Sequence, residues 1–366
     1  MTVCNRCVMS DDGDRQIAFN EDGTCNYCTL ALKKMDETYF PNAEGTHRLN
    51  EMIDMLKRHG EGKEYDCLMG ISGGLDSSYL LYLGAAKWGL RIAAVHINDG
   101  YDTDISRNNI RKLVDKTGVK YIEVNPNAEQ FNSLTLAFMK AGVPNLAIPQ
   151  DNVLFAALYD FAKKNKIKYF LSGSNFATES ILQRGNTWGA FDVVNIKDIN
   201  KRFGEGPIDD LVFITNEQRA LDSMVMGLKT LAPLNYVEYT REKAFKELGE
   251  YCGFKYYGRK HLENHLTAFL QTCWLPEKFN VDKRRSHLSS LIVSGQMTRN
   301  EALDELSEPQ YDPDYMAEVK QAMAANMGIS TDEIEELIQA PSHQHDEYKT
   351  DKLNTLGRNL YRRFVE

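Results

Sequence analysis

Short apolar runs and stretches of helical period alternate along the first half of the chain. Residues 66–72 (DCLMGIS) read as a buried strand, because a brief apolar run ends in turn residues. Residues 78–89 (SYLLYLGAAKWG) follow with helical spacing and stop at Gly89. The next strand is 91–99 (RIAAVHIND), and the next helix is 103–118, with Gly118 as its C-terminal stop. Residues 120–125 give a third strand, 151–166 a strongly periodic helix, and 167–175 (IKYFLSGSN) a fourth strand ending in small residues. This alternation predicts an α/β fold: a doubly wound parallel sheet covered on both faces, with right-handed crossovers. Ligands in such folds bind at the carboxyl ends of the strands, where SGGLDSS (72–78) and SGSN (172–175) both fall.

Beyond about residue 240 the strands fade. Residues 241–253, 300–307, 313–328 and 331–340 read as helices, and 341–352 as a surface element. Residues 1 to about 40 are short, turn-rich and hold four of the seven cysteines. Three parts are therefore expected: 1–40, 41–245 and a mainly helical 246–366. The 366 residues suffice for that division. A 42% hydrophobic and 26% charged composition is that of a soluble globular protein. The net charge of -9 argues against nucleic acid as the main partner. No apolar stretch is long enough to span a bilayer, and no basic-then-apolar leader is visible at the N-terminus. A cytoplasmic protein with unpaired cysteines is the expectation.

Cys4, Cys7, Cys25 and Cys28 form C-x2-C-x17-C-x2-C. Each pair puts two thiolates on one tight knuckle, and two knuckles complete a tetrahedral sulfur site suited to Zn(II). An iron–sulfur cluster fits the same four thiolates. With four protein ligands the site is closed, hence structural, and a segment this small gains from a metal staple. Cys67, Cys252 and Cys273 are isolated and read as core residues.

Gly73 and Gly74 let the backbone turn sharply and approach a ligand closely. The helix beginning near Asp76 directs its free N–H groups into the same space, and Ser72, Ser77 and Ser78 add hydroxyls. The turn suits phosphate oxygens, yet it has no lysine and is neither a Walker loop nor a G-x-G-x-x-G dinucleotide turn. A plain capped helix start, with Ser72 or Asp76 as N-cap, is the competing reading.

The whole string S-G-G-x-D-S-S after a buried strand resembles the PP-loop of ATP pyrophosphatases, which cleave ATP between its α and β phosphates. The resemblance implies a PP-loop ATP-binding domain over 41–245. Ile71, Ser72, Gly73, Gly74, Ser77 and Ser78 would cradle the pyrophosphate, with Asp76 at the helix start and on Mg2+. The end of the second strand, Val95 to Asn98 and so His96 and Asn98, would accept adenine through backbone groups. Gly173 and Asn175 would line the nucleotide, and Glu179 would be a second Mg2+ ligand.

In residues 274–306, Lys278, Lys283, Arg284, Arg285 and His287 make a dense basic cluster in an acidic chain. It reads either as a grip for an anionic substrate or as a solvated helix face. Together with the knuckles C-x-R-C-V-M and DGxCNYC and the SGGLDSS loop, this stretch resembles the N-acetyl sugar amidotransferases of bacterial O-antigen and surface-glycan synthesis. That family turns an acetamido group of a nucleotide-linked or nonulosonic sugar into an acetamidino group. The resemblance implies ATP, Mg2+, a structural Zn2+, and ammonia from glutaminase and cyclase-like subunits similar to those of histidine biosynthesis. It casts Asp76, Ser72, Lys283 and Arg284 as catalytic, and Lys278, Arg284, Arg285 and His287 as acceptor-binding. A tRNA thiolation enzyme with a zinc ribbon is the main alternative, and a non-catalytic ATP-binding module a third. His261 and His265, in HLENH on an expected helix, match no catalytic zinc motif, and His343 and His345 are expected in solvent.

Overall fold

The computed structural model describes residues 1–260 and 262–352. Five parallel strands form one sheet in the order β3–β2–β1–β4–β5. They are β1 (Cys67–Gly70), β2 (Ile92–Ile97), β3 (Lys120–Val124), β4 (Tyr169–Leu171) and β5 (Lys229–Leu231). The central strands read as continuous apolar runs because both faces are covered, and every residue of β2 is buried. The chain turns to opposite sides of β1 on its way to β2 and to β4. The carboxyl end of β1 is therefore the switch point of the sheet, and the glycine–serine turn sits there. β5 is not evident in the sequence, since it is three residues long and largely exposed.

The helices before the end of the sheet are α1 (Asn26–Thr38), α2 (Ala43–Gly60), α3 (Leu75–Tyr82), α4 (Asp104–Thr117), α5 (Ala128–Lys140), α6 (Ile148–Asn165), α7 (Phe176–Glu179), α8 (Val193–Phe203) and α9 (Asn216–Met226). The C-terminal part holds α10 (Arg241–Cys252), α11 (His265–Phe269), α12 (Leu275–Phe279), α13 (Arg284–Val293), α14 (Arg299–Ser307), α15 (Pro313–Met327) and α16 (Thr331–Gln339). Local chemistry sets several ends. Thr103 caps α4 by accepting from Ser106 N, and Gly118 stops it at a φ of 66°. The helix expected to run to Gly89 instead widens into a π turn over Leu83–Lys87, where Trp88 N–H bonds Leu83 O at 2.9 Å. The N-terminal segment holds more than turns: Cys25 caps α1 by accepting from Cys28 N–H.

Apolar faces of α2, α3 and α10 cover one side of the sheet through Leu56, Leu80, Leu81 and Leu248. Residues of α6 with Ile214 and Leu228 cover the other. A further core joins α5 and α8 to the C-terminal helices around Phe131, Phe138, Phe269 and Trp274. Trp274 is wholly buried and its indole N–H donates to Val143 O at 2.9 Å. Burying each such aromatic contributes about 1.5–3 kcal/mol, so this shared core ties the helical region to the sheet.

Two expectations about the tail and the HLENH stretch change. His345 is buried at 1% exposure, because its ring packs on Trp188 and its Nδ1 bonds Asn195 Oδ1 at 2.8 Å. His343 does stay partly exposed, paired with Glu347. Asn264 caps α11, so Glu263 precedes that helix instead of lying on it. His261 lies outside the described residues.

Candidate functional site

Between β1 and α3 the turn is held open toward solvent. Gly74 stands at the N-cap with no side-chain cap bond, so neither Ser72 nor Asp76 caps the helix. Gly73 has φ +74°, and a Cβ there would lie 2.7 Å from Ser106 O. Only glycine fits that backbone. Ser72 Oγ and Ser77 Oγ are 3.2 Å apart, and Ser72 Oγ also accepts from Gly74 N. The N–H groups of Gly73, Asp76 and Ser77 donate to nothing among the described residues. The helix start thus presents unpaired donors with two hydroxyls beside them, an anion site by construction.

A cavity of about 230 Å³ adjoins the turn, bounded by Ser72, Asp76, Ser77, Gly173, Glu179, Arg241, Tyr257, Lys260 and Glu263. Gly173, at the end of β4, packs so close to the backbone of Asp76 and Ser77 that a Cβ would lie 3.1 Å from it. Asp76 and Glu179, from separate helices, converge on one positive charge: Lys260 Nζ lies 3.1 Å from Asp76 Oδ2 and 2.8 Å from Glu179 Oε1. Tyr239 OH bonds the other oxygen of Asp76. Burial draws Lys260 down, but Asp76 and then Glu179 outweigh it and hold the ammonium above its ordinary range. Glu263 is pushed up to about 7, by burial first and also by Asp76.

The carboxylates of Asp76 and Glu179 therefore meet at a point that already accommodates a cation, and hard oxygen donors beside phosphate donors fit Mg2+. In the N-terminal segment the four cysteine sulfurs lie within 4.8 Å of one another, all buried. Cys4 and Cys28 are 3.7 Å apart, and Cys7 and Cys25 3.6 Å. Four ligands at a Zn–S distance of about 2.3 Å stand about 3.8 Å apart, so the four thiols fit a single tetrahedral ion. A cluster in which each thiolate serves its own iron needs wider spacing.

Other expected residues fall in two groups. Near the turn, a second cavity of about 460 Å³ continues from Ser72 and Ser77 past Ile71, His96, Asp151 and Lys283. His96 uses its side chain internally: Nδ1 lies 2.9 Å from Ile71 O and Nε2 2.9 Å from Asp102 Oδ2. Burial lowers its affinity for a proton, and Asp102 more than restores it, so His96 titrates above its usual range. Lys283 precedes α13, lines this cavity, and donates to nothing among the described residues. Asp151 has no partner there either, and burial pushes it up to about 7. His287 lies in the adjoining basic cavity with Lys260 and Lys283; burial and then Lys260 drive it down to about 3, so it is neutral.

The side chains of the remaining residues are buried or bond within the fold. Ser78 is wholly buried behind the turn, away from the cavity. Asn175 caps α7, accepting from Thr178 N at 3.0 Å, and Asn98 bonds Glu123 and Asn125 at the end of β3. Arg284 is taken up by the Asp282 carboxylate at 2.8 Å and by the Glu308 carbonyl at 2.8 Å. Arg285 donates to Val8 O at 2.8 Å, and Lys278 to the carbonyls ending α16. The basic cluster thus partly disperses, because a helix sends successive residues to different faces, while Lys283, Arg284 and His287 stay on one cavity. Lys260, Arg241, Tyr239 and Tyr257, which accepts from Leu75 N at 3.0 Å, carry no motif that marks them in the sequence. The one available signal is the aromatic–basic run YYGRK at 256–260.

A parallel sheet in this strand order, with a glycine–serine anion turn at its switch point and a helical C-terminal region, is a fold of the PP-loop type. Residues 263–361 match the family model described as "LPS biosynthesis protein WbpG-like, C-terminal domain". That match agrees with the amidotransferase resemblance read from the sequence. No curated protein matches the chain. Among solved structures, similar chains include the NH3-dependent NAD synthetase of Campylobacter jejuni (14% identity, 77% of this chain and 94% of that one, TM-score 0.32). Another is the NMN synthetase of Francisella tularensis (15%, 59% and 98%, TM-score 0.29). A third is the U34-tRNA thiolase of Methanococcus maripaludis with its [4Fe-4S] cluster (17%, 84% and 90%, TM-score 0.34). No helix among the described residues is long and apolar enough to cross a membrane.

Proposed function

We propose that the chain is an ATP-dependent, AMP-forming ligase that converts an acetamido group of an N-acetylated sugar to acetamidino, with ammonia supplied by a partner glutaminase. The observation that carries this reading is the joining of the anion turn to walls from the polysaccharide-family domain. Glu263, Asn264 and Lys283, all within residues 263–361, line the cavity that also holds Ser72 and Ser77.

An amide carbonyl is a poor electrophile until its oxygen carries a leaving group. In the proposed first step the acetamido oxygen attacks the α-phosphorus of ATP, the bond to the β-phosphate breaks, and pyrophosphate departs. The free N–H groups of Gly73, Asp76 and Ser77 and the hydroxyls of Ser72 and Ser77 would receive its oxygens, so positioning and electrostatics supply most of the rate. Asp76 and Glu179 would hold Mg2+, which neutralises phosphate charge when bound. In the second step ammonia adds to the imidate carbon, the bond to AMP breaks, and the amidine leaves as its cation. The Asp151 carboxyl, without a partner among the described residues, lies in the same cavity to meet that charge, and the Lys283 ammonium, likewise, to meet an anionic group of the sugar. Enclosure of this space would keep water from the imidate.

Thiolation of tRNA needs a thiol or cluster near the activated oxygen. No cysteine lines the cavities at the turn among the described residues, which supports ammonia as the nucleophile. The test supplies purified protein with ATP, Mg2+, ammonium and a UDP-linked diacetamido uronic acid. AMP release that requires both sugar and ammonium is expected; sulfur transfer to tRNA instead would overturn the proposal.

A further inference from the structure

Two carboxylates brought together from different elements repel unless a cation lies between them. Here the cation is part of the chain. Lys260 comes from the segment between α10 and α11, reaches across to α3 and α7, and touches Asp76, Glu179 and Thr178 Oγ1, the last at 3.2 Å. The same segment supplies Tyr257, whose hydroxyl closes off Leu75 N–H. The region C-terminal to the sheet therefore governs both the charge and the open donors of the anion turn.

A divalent cation and a lysine ammonium cannot both sit between one pair of carboxylates. The ammonium also stands at the anion turn, since it contacts the Asp76 side chain and lines the same cavity as Ser72 and Ser77. Its four-carbon stem rotates, so the head can travel without the backbone. We infer that Lys260 is an exchangeable counter-ion: it holds the Asp76–Glu179 pair in register before nucleotide binds, and transfers to the phosphate oxygens when a divalent cation takes the two carboxylates. The sequence reading found no lysine in the turn; this assigns the missing positive charge to a residue more than 180 positions downstream of it.

The inference rests on the phosphate-site part of the proposed function and not on the acceptor. Its test reads binding only, with Mn2+ and ATP as probes on the full chain. Lys260→Met keeps the stem and removes the charge. Without nucleotide it should bind Mn2+ at least tenfold more tightly than wild type, measured by electron paramagnetic resonance. At saturating Mn2+ it should bind ATP at least tenfold more weakly, measured by calorimetry. Lys260→Gln serves as a second neutral variant where Met disturbs folding, and Lys260→Arg should stay within about twofold of wild type for Mn2+. Opposite movement of the two affinities supports the exchange. Unchanged or weaker Mn2+ binding in a folded neutral variant overturns it, as does tighter Mn2+ binding with ATP affinity untouched. Wild-type protein that binds no ATP would instead refute the phosphate-site reading itself.

Discussion

The backbone N–H of Val8, next to Cys7, donates to Ser289 Oγ in the middle of α13 at 3.2 Å. Arg299 adds bonds to the carbonyls of Cys4 and Cys7, each at 3.1 Å, and Arg285 one to Val8 O. The opposite side of α13 holds the segment that ends α7: Ser290 Oγ accepts from Ile181 N, and His287 Nδ1 lies 3.2 Å from Thr178 O. The cysteine knuckle therefore braces the helix that positions Glu179 and Lys283.

Metal analysis should return about one zinc per chain. Removing it with a chelator should raise hydrogen exchange in α13 and in residues 178–183, and lower nucleotide-dependent turnover. Unchanged protection in metal-free protein would show that the knuckle is no brace.

Asp76→Ala should cut AMP formation by on the order of 10²–10³-fold, because it removes a carboxylate placed where charge is managed during pyrophosphate loss. Circular dichroism should remain that of wild type. Unaltered turnover would remove Asp76 from the mechanism.

Gly73→Ala introduces a Cβ 2.7 Å from Ser106 O at a φ of +74°. Strain of this kind costs about 1–3 kcal/mol, so the melting temperature should fall and ATP affinity with it. A variant as stable as wild type would mean that the turn relaxes freely.

Lys283→Ala should leave ATP binding intact and raise the KM for the sugar about tenfold or more, since Lys283 has no partner to lose among the described residues. The split between nucleotide and acceptor kinetics is the readout; equal losses in both would place Lys283 on the nucleotide.

Burial pushes His345 down to about 3, so the folded chain keeps it neutral while an unfolded histidine takes a proton near pH 6.5. The unfolded state then binds more protons below that pH, and stability falls as pH drops from about 6.5 toward 3 by roughly 1.4 kcal/mol per unit. His287 acts in the same direction. Urea unfolding of His345→Gln at pH 6.5 and 5 should show a loss smaller than wild type by about 2 kcal/mol. An identical pH dependence would contradict the neutral assignment.

The parallel sheet, the cysteine knuckle and the anion turn could all be read from the sequence because each depends on residues close in the chain. Continuous apolar runs ending in glycine mark β1 and β2, paired C-x2-C spacing marks the thiol site, and S-G-G-x-D-S-S marks the helix start. β5 was silent because an edge strand of three exposed residues has no apolar run to show. The basic cluster looked like one site because its charges are neighbours in sequence. Only tertiary structure distributes them, sending Lys278 to a helix end and Arg285 to the knuckle, and leaving Lys283, Arg284 and His287 on one cavity.

His345 shows the same limit in reverse: a polar tail residue reads as solvated until Trp188 and Asn195 enclose it. By itself the sequence determined the sheet, the thiol site and a turn suited to an anion, since hydrophobic period, ligand spacing and glycine freedom are local properties. Which charges face that anion was decided by the packing of the C-terminal helices. Lys260 meets Asp76 and Glu179 only because the fold closes a loop of more than 180 residues, and no local pattern records such a contact.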